Sequence, residues 1–225
     1  MISWPEILIP RSNPHDLRNM AATGGRTGSG REQRVFNDAG YWEIGFNSVP
    51  IRTRAQALAW RAMVSKLRTG EAILVKIYDK WFADGANGVV QEARVGANAA
   101  LRATTMMLTT INLELEPGVE FSIGQRLYRI TEVTSHDPAE AIADWLTTGS
   151  PWDDVDGIWV DAPMNGSASW TVKILPPLRA AAAAGAEADF RDRVCLCVID
   201  DVGGGGLDLD LARFADPSIT LIEAF

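Results

Sequence analysis

Along most of the chain apolar and polar residues alternate one by one, the pattern of strands with one buried face. Trp42, Ile44 and Phe46 alternate with Glu43, Gly45 and Asn47, and Pro50 ends that run. Ile73, Val75 and Ile77 line one face of a second strand, and residues 106–115 form a third, stopped by Pro117-Gly118. Residues 121–123 and 126–130 flank Gly124-Gln125. Glycine in the first place of a two-residue loop suits a type II′ turn, so a hairpin is expected there. Alternation resumes over 170–174, and the last strands are 194–199 and 219–222, separated by the glycines 203–206.

One segment changes period. Leu58, Ala59, Ala62, Met63 and Leu67 recur at helical spacing. Thr53 and Gln56 have the spacing of a capping box, and Gly70 supplies a C-terminal stop, so a helix is expected over 53–67. After Pro176-Pro177, residues 178–184 read as a short helix or turn ended by Gly185. Two stretches break the rhythm and read as insertions. One spans 79–105 around Asp84-Gly85-Ala86-Asn87-Gly88; the other spans 135–169, with a short helical stretch at 141–145 before Gly149-Ser150-Pro151-Trp152-Asp153-Asp154. Residues 1–40 hold Pro5, Pro10 and Pro14, then Gly24-Gly25-Arg26-Thr27-Gly28-Ser29-Gly30. They read as an extended N-terminal arm and a glycine-rich loop. The expected fold is therefore mainly β: a β-sandwich over 41–225 with one flanking α-helix and long loop or hairpin insertions. No repeat of fixed period interrupts this reading.

Charge and composition narrow the function. The net charge is −8 and the pI about 4.8, which disfavours a protein that grips nucleic acid through its phosphates. Hydrophobic residues make up 47% of the chain, enough for a core, yet no apolar run approaches the roughly 20 residues that span a bilayer. The first residues show no secretory leader pattern. A soluble protein made in a cytoplasm is expected.

Candidate chemistry does not converge on an enzyme. Cys195 and Cys197 stand two apart in an apolar run, so both point to one face of a buried strand, and His15 and His136 lack ligand spacing toward them. Neither a metal nor a cofactor is expected. The glycine loop lacks the phosphate-cradling pattern that ends in Lys-Ser/Thr. Asp154-Val155-Asp156-Gly157 is only a fragment of a calcium loop. Asp153 and Asp154 beside Trp152 leave a carbohydrate-binding or cell-wall-degrading module as an alternative. Asp208 and Asp210 alternate with leucines as the polar face of an extended segment.

The chain has eight tryptophans. Trp42, Trp60 and Trp170 fall in core positions, whereas Trp81, Trp145, Trp152 and Trp159 fall in the turn-rich excursions. Aromatics there are the residues that anchor protein–protein contacts, so these four are interface candidates.

The order of these features resembles the distal-tail and minor-tail proteins of siphophages and gene transfer agents. The resemblance rests on Thr27-Gly28-Ser29-Gly30-Arg31-Glu32-Gln33-Arg34, then Ala39-Gly40-Tyr41-Trp42-Glu43-Ile44, then the helix ending Lys66-Leu67-Arg68-Thr69-Gly70. It continues through 121–130, Ile174-Leu175-Pro176-Pro177-Leu178-Arg179 and the terminal 217–225. It adds Arg31 and Glu32 to the interface candidates. It implies a virion protein with no enzymatic activity, assembled as a hexameric ring that joins the tail tube protein to the tail-tip hub proteins. DNA would pass through the lumen without specific binding. A tail-tip hub or another minor tail protein is the nearest alternative.

Overall fold

The computed structural model describes residues 1–18, 20–26, 28–30, 32–36, 38–79, 91–137, 167–200, 204–210 and 214–225. The protein is mainly β; its described residues form two six-stranded sheets, a separate two-stranded sheet and one helix. The chain forms two compact units. The first comprises 1–80, 121–128 and 192–225; the second comprises 81–120 and 129–191.

The first unit is built on the sheet β1–β6–β13–β14–β5–β2. Its strands are β1 (Ile2–Ser3), β2 (His15–Arg18), β5 (Tyr41–Phe46), β6 (Ile73–Lys76), β13 (Val194–Ile199) and β14 (Ile219–Glu223). β1 runs parallel to β6, and the other pairings are antiparallel. Trp42, Ile44 and Phe46 of β5, Ile73 and Val75 of β6, Cys195 and Cys197 of β13, and Ile219 and Leu221 of β14 share one buried core. Each set is the inward half of a period-two alternation.

Helix α1 (Arg54–Arg68) buries Trp60, Met63, Val64 and Leu67 in that core. The expected capping box forms: the Thr53 side chain accepts from the Gln56 amide and the Gln56 side chain accepts from the Thr53 amide. Gly70 follows with φ +87°, a left-handed turn that glycine adopts without strain. A strap after β13 holds the helix, because the Trp60 indole N–H donates to the Gly205 carbonyl at 3.0 Å and Arg68 donates to the Gly204 carbonyl.

The N-terminal forty residues depart from the expected arm. Strands β1 and β2 are edge strands of the first sheet, and Trp4 and Leu8 lie in its core. Backbone bonds from Gly45 to the Pro14 carbonyl and from Asn47 to the Ser12 carbonyl continue the β2–β5 ladder. Pro5, Pro10 and Pro14 all fall outside the strands, where a missing N–H costs no ladder bond.

The second unit is built on a sheet of order β12–β9–β10–β11–β8–β7. Its strands are β7 (Glu92–Val95), β8 (Thr105–Ile111), β9 (Glu120–Ile123), β10 (Arg126–Asp137), β11 (Ser167–Leu175) and β12 (Ala188–Asp189). The tip of the β9–β10 hairpin, 121–128, counts with the first unit. Gly124 takes φ +61° at the first loop position, as a II′ turn requires. Val95 donates to the Ala186 carbonyl at 2.8 Å and Gly185 donates to the Val95 carbonyl at 2.7 Å. These bonds bring the segment leading into β12 against β7, so the two ends of the strand order meet.

Two expectations are corrected here. The strand expected over 106–115 ends at Ile111, because Asn112 turns the chain with φ +53°; Leu113 and Leu115 remain buried beyond it. Of the helix or turn expected over 178–184, the turn forms, at 184–185, and the helix does not. Seven residues between a proline pair and a glycine cannot repay helix nucleation, and Ala182 instead exchanges two backbone bonds with Ala99.

Candidate assembly interface

The feature that stands apart from both large sheets is the hairpin of β3 (Ala21–Arg26) and β4 (Glu32–Phe36). Ala21 pairs with Phe36, Ala22 with Val35, and Thr23 with Arg34; an irregularity separates Thr23 from Arg26. Gly25 at that irregularity has φ +80°, which a side chain would oppose. Val35 and Phe36 are sequence neighbours and therefore lie on opposite faces of the strand. They are 54% and 56% exposed. The hairpin thus carries a large apolar side chain on each face, neither buried in a core. Glu32 is exposed and pairs with Arg34 at 3.4 Å, two residues away on the same face.

The root of this hairpin is fixed. β2 ends at Arg18 and β5 begins at Tyr41, and these two residues pair. The whole hairpin is therefore an excursion between two adjacent, paired strands. Arg18 also bonds Glu43 at 3.1 Å across that ladder. Gly40 lies where an added Cβ would meet the Met20 sulfur and stand 2.9 Å from the Arg18 carbonyl oxygen. Glycine at this point lets the outgoing and returning chains approach.

Of the interface candidates read from the sequence, Glu32 is on this hairpin, and Arg31, Trp81, Trp145, Trp152 and Trp159 lie outside the described residues. Asp153 and Asp154 lie outside them as well, as does the Asn87-Gly88 turn. The described tryptophans are all buried and all donate their indole N–H. Trp4 donates to the Leu8 carbonyl, Trp42 to the Leu127 carbonyl, Trp60 to the Gly205 carbonyl and Trp170 to the Thr110 hydroxyl. They are core anchors. The sequence reading missed Val35 and Phe36; the signal was an apolar pair between Arg34 and Asn37, in a region read as loop.

Two further clusters are structural. Cys195 and Cys197 are free thiols, buried on one face of β13. The adjacent Cys197 thiol, and then burial, push the Cys195 thiol well above its ordinary value. Arg52 clamps the C-terminal segment: it donates to the Ala215 carbonyl at 3.0 Å, pairs with both Asp216 oxygens and lies over the Phe214 ring.

Comparison of the sequence with protein-family models finds no match, and comparison with the curated proteins finds none.

Proposed function

We propose that this protein is a structural component of a phage tail, forming a ring, hexameric by the resemblance, at the distal end of the tail tube. The observation that carries the reading is the β3–β4 hairpin. A two-stranded hairpin on its own is marginally stable at best in water. This one is rooted firmly between β2 and β5, yet exposes Val35 and Phe36 on opposite faces. Such an element gains stability by adding to a neighbour's sheet or laying its apolar residues on a neighbour's surface. A ring requires one contact of this heterologous kind, repeated until rotation closes it. In sequence, residues 21–36 hold three arginines against the single Glu32, a net charge opposite to that of the chain.

The test is the mass and symmetry of the purified chain by light scattering and negative-stain imaging, beside a variant in which 21–36 is replaced by a short glycine-serine turn. The expected result is a closed ring near six chain masses for the full chain and monomers for the variant, with unchanged cooperative unfolding. A threefold assembly would favour a tail-tip hub instead. A ring that survives loss of the hairpin would remove the observation on which the reading stands.

A further inference from the structure

Helix α1 carries Arg54, Arg61, Lys66 and Arg68 and no acidic residue. That leaves 17 of the 21 Lys and Arg to set against 29 Asp and Glu in the rest of the chain. All four basic residues are on the exposed side of the helix. Arg54, Arg61 and Arg68 recur every seven residues, so they form one row with steps of about 10.5 Å along the helix axis. Leu58 lies between the first two, 46% exposed. Arg54, Arg61 and Lys66 have no ion-pair partner among the described residues.

A solvated helix face ordinarily mixes both signs, with acids in the first turn where they offset the helix dipole. Here the first turn holds no acid, and Arg54 occupies the first helical position, the positive end of that dipole. Local helix energetics therefore oppose the arrangement at Arg54. An acidic docking partner would offset that cost and would pair with the row while Leu58 enters an apolar contact; arginine is enriched at protein interfaces.

We infer that the outer face of α1 is a docking surface for a second copy of this chain, received through that copy's acidic surface. The counterpart is the segment after β8. There Leu113 and Leu115 are buried and hold the backbone in place, while Glu114 and Glu116 alternate with them, exposed and without an ion-pair partner among the described residues. Two carboxylates two residues apart on an extended segment stand about 7 Å from each other, within reach of the long side chains of neighbouring arginines. Complementary charge fixes the register of such a contact and accelerates its formation. The inference rests on the assembly reading in requiring a second copy, but it uses a different surface from the hairpin.

The experiment is sedimentation of the full chain over a range of concentration and salt, with circular dichroism on every variant. Self-association should weaken as salt rises, and R54E/R61E should weaken it by about tenfold or more at low salt with helix content unchanged. E114R/E116R should do the same, and an equal mixture of the two variants should recover association. If R54E/R61E loses helix content, R54Q/R61Q replaces it and must flatten the salt dependence. Association indifferent to salt and to both pairs of substitutions overturns the inference. So does retention of the chain on duplex DNA that R54E/R61E abolishes while association is unaffected. A ring that persists in R54E/R61E but is lost with the hairpin overturns this inference and leaves the assembly reading standing. A monomer under every condition overturns both.

Discussion

Trp4 lies flat against Phe46, with ring centroids 4.0 Å apart and planes 16° from parallel. It also makes a T-shaped contact with Trp60, with centroids 6.3 Å apart and planes at 83°. One residue after β1 thus joins strand β5 to helix α1, and its indole N–H is satisfied by the Leu8 carbonyl at 2.6 Å. Trp4→Ala would remove a large buried ring from between two others, and the site has little freedom to collapse because both neighbours belong to regular elements. The expected cost is about 3 kcal/mol, read as a lower midpoint in denaturant with the slope unchanged. A loss under about 0.5 kcal/mol, the range of ordinary surface positions, would mean that the N-terminal segment does not belong to the core.

In the second unit Thr110 is the middle of a relay. Its hydroxyl accepts from the Trp170 indole at 2.8 Å and donates to the Leu113 carbonyl at 2.8 Å. The residue is almost fully buried. Thr110→Val keeps the shape and strands both partners, which should cost about 2 kcal/mol for the two unmet polar groups. Thr110→Ser keeps the hydroxyl and should cost less. Urea unfolding of the pair checks this, and equal losses in the two variants would point to packing and not to the relay.

The hairpin root makes a local prediction. Gly40→Val would drive a branched side chain toward Met20 and toward the Arg18 carbonyl, which stands 2.9 Å from the added Cβ position. Overpacking of this kind costs about 1–3 kcal/mol. Because the strain falls where the hairpin joins β2 and β5, amide exchange should accelerate over 32–36 and at Tyr41 more than in β13 or β14. Uniform acceleration through the first sheet would show that the root and the sheet open together.

What the sequence made legible was local. Thr53, Gln56 and Gly70 announce the helix within its own turns, and Gly124 announces its hairpin, because those signals act through neighbouring backbone groups. Trp42, Ile44 and Phe46 announce β5 by alternation alone. His15-Asp16-Leu17-Arg18 does not announce β2: it offers one apolar residue, and it is a strand only because Tyr41 to Ile44 lie alongside it. β7 is likewise held by β8 and by residues 185–187, far off in sequence. The alanines of 180–184 favour helix intrinsically, yet Ala182 pairs with Ala99, so tertiary pairing overrides propensity. The candidate surface was half legible. The glycines of 24–30 marked a loop, but the exposure of Val35 and Phe36 depends on which sheet they fail to join, and that information is not local.

The two cysteines give a prediction in pH. Cys195 is buried on the core face of β13, and the neighbouring Cys197 thiol, then burial, raise its ionisation well above the ordinary value of 9.0. The folded state therefore holds the thiol proton where the unfolded chain releases it. A group raised in this way contributes stability that is fully present below the unfolded value and is lost as pH climbs from about 9 toward the folded value. Thermal midpoints should hold steady for this group between pH 7 and 8 and fall above 9. Cys195→Val removes the proton linkage, so its midpoint should fall less steeply over the same alkaline range. The thiols should also resist a thiol-specific reagent in the native protein at neutral pH and react when denaturant is added, since the thiolate is the reactive form. Rapid native reaction at pH 7, or identical alkaline slopes for the two proteins, would show that the β13 face opens to water without global unfolding.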